Sequence, residues 1–417
     1  MNACNKNQTR SAWDQILKNA SEICPAMTPG QLLQIVSLAP KGPRTFPLLK
    51  QNISPFRISD TIAFLRLSHK FQISECISVM KHLKSLIHSS HSELTDHVVV
   101  ELINTLVGIR ARASTQRAPA YRKRFKPAVS DPYIDQVDAL INDCLKTVSD
   151  WIEGPRFSCR IPSNAVSIVK GFSQFNFKRK QSIKILCAVI DLENISTTEA
   201  VQLLNSLTLL RFVSIHLAER IAQKVLKSNE ATFDDLYNLL TSLNELPSVT
   251  CLGSVVEKLT QAVTCSSLSI AQLVDIGMIL NDKQPSERFW SVWDKKTVHQ
   301  IDEGLDTQIL LKLCSIVSLN EEIEFKLGDI LTRRLSELTE SDLRFVLKLK
   351  PLSRDQFSAI LTQLCRVHDC NDLIKCTKLM TEDKLIKDLC EVHSVSAESI
   401  VLLNRQRYSA TCINGKT

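Results

Sequence analysis

ISTTEAVQLLNSL (residues 195–207) and ATFDDLYNLLTSL (231–243) are one phrase written twice, 36 residues apart. If the first residue of each is position zero, apolar residues stand at plus five, eight, nine and twelve, which is one face of an α-helix. In the first copy these are Ala200, Leu203, Leu204 and Leu207; in the second, Leu236, Leu239, Leu240 and Leu243. The same frame fits from Met27, Leu94 and Leu305, and from Leu268 with a departure at Gly277. Looser copies start at Ile161 and Leu338, and another near Ile58 is out of frame by about a residue.

Position plus one carries a second signal. It holds Thr28, Thr95, Ser196, Thr232, Ser269, Asp306 and Thr339, with Pro162 as the exception. A short oxygen-bearing side chain there accepts a bond from an unpaired N–H of the first helical turn. Three residues on stand Gln31, Glu199, Asp235, Gln272 and Asp342, which complete or mimic a capping box. Each phrase therefore reads as a helix start. Starts at 161, 195, 231, 268, 305 and 338 lie 34, 36, 37, 37 and 33 residues apart. Second amphipathic runs such as 214–226 and 251–263 fall between them. A hairpin of this size cannot bury its apolar face alone. The expected fold is all-α: an α-solenoid of about eight to ten helical-hairpin repeats of roughly 35 residues. It spans 27–393, with a basic loop insertion at 110–130, an N-terminal extension (1–26) and a C-terminal tail (394–417).

Composition agrees with that reading. Only 10 glycines occur in 417 residues, which argues against a nucleotide-binding α/β enzyme with its glycine-dependent turns. No uninterrupted apolar stretch is long enough for a membrane span; 98–109, the best candidate, is broken by Glu101 and Asn104. The opening MNACNKNQTRSAW lacks the apolar core of a secretory signal and is weakly compatible with organellar import. Fourteen cysteines are scattered without a CxxC pair, so they read as reduced and mostly buried thiols in a reducing compartment.

A unit of this length, with a Ser/Thr start and an xxLLxxL core, resembles the heptatricopeptide repeats of organellar RNA-binding proteins. It is similar to the helical region of FAST-kinase-like and RAP-domain proteins. The layout of 161–190 (cap, helix, small polar break, basic turn, second helix) carries the likeness most closely. No RAP domain is recognisable at the C-terminus. The resemblance implies RNA binding in a mitochondrion or other organelle, with organellar rRNA or mRNA and the protein subunits of a larger complex as partners.

The charge points the same way. The formal net charge is +7, and 110–126 (RARASTQRAPAYRKRFK) holds Arg110, Arg112, Arg117, Arg122, Lys123, Arg124 and Lys126 with no acid. Outside that run, bases and acids balance at 44 each. The run also breaks the repeat. Helices over 95–109 and 131–152 are the expected arms, with the basic segment as an enlarged loop between them. A polybasic loop with Tyr121 and Phe125 can neutralise phosphates and stack on unpaired bases. Lys178, Arg179 and Lys180 fall in the corresponding turn of the next unit. The alternative readings of the segment are a solvated loop that keeps the protein soluble, or a region that touches an acidic protein. Residues 191–270, with nine acids against five bases, favour a protein or solvent face.

No nucleotide-binding or zinc-protease motif is present. Cys365, His368, Cys370 and Cys376 have four possible ligands at a spacing that matches no common zinc site, and the cysteines continue apolar series. No metal, no cofactor and no catalytic activity are expected. The remaining alternative is a HEAT-like, protein-binding scaffold without direct RNA contact.

Overall fold

The computed structural model describes residues 27–38, 53, 55–70, 72–115, 132–246, 249–265, 267–283, 287–316, 320–349, 354–368 and 373–402. Among these the protein is α-helical with short 3-10 turns and no strand. It divides into two compact units: Met1–Ala231 with Glu245–Val249, and Thr232–Asn244 with Thr250–Thr417.

The first unit contains α1 (Pro29–Leu38), α2 (Ile58–Arg66), α3 (Ile73–Ser89), α4 (Asp96–Thr115), α5 (Pro132–Glu153), α6 (Pro162–Gln174), α7 (Lys180–Val189), α8 (Thr197–Leu209) and α9 (Ile215–Lys227). Helix α1 packs on α2. Helices α2, α4, α6 and α8 then pack each on the next, as do α3, α5 and α7, and α2–α3, α4–α5, α6–α7 and α8–α9 pair across the two series.

The second unit contains α10 (Phe233–Asn244), α11 (Leu252–Cys265), α12 (Ile270–Leu280), α13 (Glu287–Val298), α14 (Thr307–Cys314), α15 (Glu321–Arg333), α16 (Glu340–Leu349), α17 (Arg354–Val367), α18 (Leu373–Glu382) and α19 (Lys384–His393). Here α10, α12, α14 and α16 pack in succession, α11, α13, α15 and α17 do likewise, and consecutive helices pair from α10–α11 to α18–α19. Residues 397–402 are also helical and bury Ile400 and Val401, so helical packing runs past 393.

The expected caps are made. Ser196 Oγ accepts the Glu199 N–H at 3.2 Å, and Glu199 accepts the Ser196 N–H at 2.7 Å. The reciprocal pairs Ser269/Gln272, Thr232/Asp235, Thr339/Asp342 and Thr28/Gln31 repeat the arrangement. Asp306 accepts from Gln308 and Ile309, and Thr95 from Val98. Behind each cap the framed apolar residues are buried: Ala200, Leu203, Leu204 and Leu207 in α8 and Leu236, Leu239, Leu240 and Leu243 in α10 are at most 1% exposed.

Two frames shift, and a third departure finds its cause. The cap of α6 is Ile161, with Pro162 at the first helical position, where its missing N–H costs nothing. Its buried Ala165, Val166, Ile168 and Val169 match Ala200, Val201, Leu203 and Leu204 at a constant 35 residues, so this copy begins one residue before Ile161. Helix α2 buries Thr61, Ile62, Phe64 and Leu65 in the same pattern behind Arg57, whose N–H bonds Asp60, so its frame begins at Phe56. Third, Gly277 keeps its frame position for steric reasons. A Cβ there would lie 2.8 Å from Ile316 Cδ1 and 2.9 Å from Trp293 Cζ2. The Trp293 indole donates to the Leu273 carbonyl at 2.7 Å and lies across α12 where glycine leaves room.

Candidate nucleic-acid interface

The first arm of the enlarged hairpin is longer than expected. Helix α4 continues to Thr115, because Ile109 and Ala113 extend its buried stripe and no glycine or proline intervenes before Pro119. Arg110 and Arg112 are therefore helical and not part of a loop. Arg117, Tyr121, Arg122, Lys123, Arg124, Phe125 and Lys126 lie outside the described residues.

Arg110 fastens three elements. Its Nε pairs with Asp138 of α5 at 3.1 Å, its Nη1 donates to the Gln174 carbonyl at the end of α6 at 3.2 Å, and its guanidinium lies over the Phe175 ring at 5.6 Å. A planar guanidinium supports all three contacts at once, which an ammonium cannot. Arg112 points inward towards α3. Burial pushes the Cys76 thiol up to about 11, and the positive charge and hydrogen bond of Arg112 pull the other way. Both arginines thus serve packing.

The other cluster also splits. Arg179 precedes α7 and pairs with Asp150 at 2.8 Å and Glu153 at 3.5 Å, both on α5. Glu153 also accepts from Ser182 at 2.7 Å, so this carboxylate is anchored from two sides. Lys178 and Lys180 are exposed and make no ion pair with any described residue. The geometry that relates the clusters is the Arg110 contact: it fastens α4, ahead of its end at Thr115, to the end of α6 and to Phe175, where the turn that carries Lys178 and Lys180 begins.

That turn has a defined chemistry. The Phe177 N–H bonds the Phe172 carbonyl and the Asn176 N–H bonds that of Ser173, with Asn176 at φ 53°. This is a Schellman cap, and the rings of Phe172 and Phe177 meet edge to face at 5.1 Å as its apolar contact. Thirty-five residues on, α8 ends in the same way: Phe212 bonds Leu207, Arg211 bonds Thr208, and Arg211 has φ 56°. Arg211 is exposed on the equivalent turn. The sequence carried a faint sign of it in the recurrence of Phe177 as Phe212.

The thiols are poor candidates for nucleophilic work. Burial pushes Cys144 up to about 12, and Cys187 and Cys390 up to about 11. Cys365 and Cys376 are buried with their sulfurs 3.7 Å apart. His368 pairs with Glu340 at 3.0 Å, and Cys370 lies outside the described residues. Among the described residues no group of three ligating side chains can hold a metal ion, and no helix is long and apolar enough to cross a membrane. In the second unit, α13 and α15 enclose a cleft walled by Trp290, Asp294, His299 and Glu322. No protein-family model matches the chain, and no curated protein sequence matches it.

Proposed function

We propose that the chain is a non-catalytic, organellar RNA-binding helical-repeat protein, an α-solenoid of hairpin units resembling the heptatricopeptide and FAST-kinase-like helical regions. It acts in RNA stability or processing, or as a ribosomal or ribosome-assembly subunit. The supporting observation is the concentration of the whole basic excess in one segment, which begins on a helix that Arg110 fastens to the turn leading to exposed Lys178 and Lys180. In this reading 117–126 captures phosphates, Tyr121 and Phe125 stack on bases, and the paired helices fix the geometry. Arg110, Arg112 and Arg179, which are already engaged, hold the edge in shape.

A protein-binding scaffold is the second reading. What favours it is α15, where Phe325 is 78% exposed beside Glu321, Glu322 and Glu324.

Fluorescence anisotropy with a labelled single-stranded RNA at several salt concentrations separates the two. Five or so phosphate contacts predict a slope of log affinity against log salt of about −3.5. Absence of binding at low salt, or a flat dependence, would leave the scaffold reading in first place.

A further inference from the structure

We infer that Arg211 carries the basic edge of the first unit on to the next hairpin, where it contacts the phosphate backbone of a single-stranded RNA. This rests on the RNA-binding reading above and adds to it a residue, a direction and a strandedness. The Schellman caps of α6 and α8 are superimposable in sequence register, and α6 packs against α8, so their turns are neighbours on one edge. In the first turn the left-handed position holds Asn176, a side chain that tolerates such a backbone through local hydrogen bonding. In the second it holds Arg211, a long side chain that gains nothing locally from that conformation and strains it. Arg211 is exposed and forms no ion pair with any described residue, so the strained backbone presents a bare cation to solvent.

Its surroundings select the form of the nucleic acid. Leu209, the last residue of α8, is 62% exposed and Ile215, the first of α9, is 42% exposed, on either side of Arg211 along the chain. Apolar side chains that flank a cation suit a strand whose bases are unpaired and free to lie on them. A duplex turns its bases inward and offers only phosphate and sugar to such a surface. The cations Lys178, Lys180 and Arg211 then follow the backbone from one hairpin to the next, so on this edge the RNA contact enters 191–270, contrary to the protein or solvent face expected from its acidic balance.

The full-length protein and its Arg211→Gly, Arg211→Asn and Arg211→Lys variants test this by two readouts, the melting temperature and anisotropy with a labelled single-stranded RNA and a duplex of equal length. Glycine relieves the strain, so Arg211→Gly should melt about 2 °C higher while its single-strand affinity falls several-fold and its salt slope flattens by about 0.7. Arg211→Asn should behave like it, and Arg211→Lys should keep most of the affinity. If the wild type binds RNA and Arg211→Gly binds equally well, the role of Arg211 is refuted while the broader reading stands. If the duplex binds as tightly as the strand, the single-strand assignment is refuted. If the wild type binds neither, the RNA-binding reading itself fails.

Discussion

Gly277 shows how one missing Cβ positions a tryptophan. Alanine has the better helix propensity by about 1 kcal/mol. Yet its Cβ would collide with Trp293, which is held by the bond to Leu273, and with Ile316. Overpacking of this kind costs about 1–3 kcal/mol and more where the neighbour is tethered. Gly277→Ala should therefore lower unfolding free energy by about 2 kcal/mol in urea titration, and a neutral or stabilised variant would refute the packing. Asp294 presents the opposite case. Desolvation raises its carboxyl above the ordinary value, against a smaller pull from Asn320, and its Oδ1 is buried without a hydrogen-bond partner among the described residues. Between the ordinary and the raised value the folded protein holds a proton that the unfolded chain has released. Stability therefore falls as pH rises across that window and stays lower above it. Asp294→Asn should stabilise the protein by about 1 kcal/mol at neutral pH and little below the window. An equal effect at both pH values would contradict the assignment.

At the scale of the helix, the caps set the register. Ser196→Ala and Ser269→Ala should each cost about 1 kcal/mol, since each leaves a first-turn N–H without its acceptor. Helix α6 tests the converse: Ile161 is half-exposed and supplies no capping bond, so Ile161→Ser should stabilise by about 0.5–1 kcal/mol. Thermal melts of the three variants suffice, and a destabilised Ile161→Ser would mean that the cap frame is misplaced there. Helix starts were legible in the sequence because caps and apolar spacing are local properties of the chain. The frame slipped at Ile161 and Ile58 because isoleucine and arginine occupy the cap positions where the other copies carry an oxygen-bearing side chain. The length of α4 was hidden for a different reason: a run of arginines reads as loop, while Ile109 and Ala113, four apart on one face, keep it helical through burial that only the fold provides. Likewise, nothing in the sequence says that Arg110 and Arg179 are bound to Asp138, Gln174, Asp150 and Glu153. Those partners lie 26 to 64 residues away. Of the candidate interface, the sequence revealed where the charge is but not which cations are already committed, and it passed over Arg211.

Across the whole molecule the charge is unevenly shared. The net +7 arises within the first unit's enlarged hairpin, while the exposed Phe325 and its glutamates belong to the second. That division suits a protein that holds RNA with one part and a protein subunit with another. Its strongest test is crosslinking to RNA in the protein's own cells, comparing wild type with a variant in which Arg122, Lys123 and Arg124 are all alanine. RNA should be recovered with the wild type and strongly reduced with the variant, and the recovered sequences would name the target. Recovery no better than background for the wild type, or equal recovery for both, would contradict capture of RNA by the basic segment.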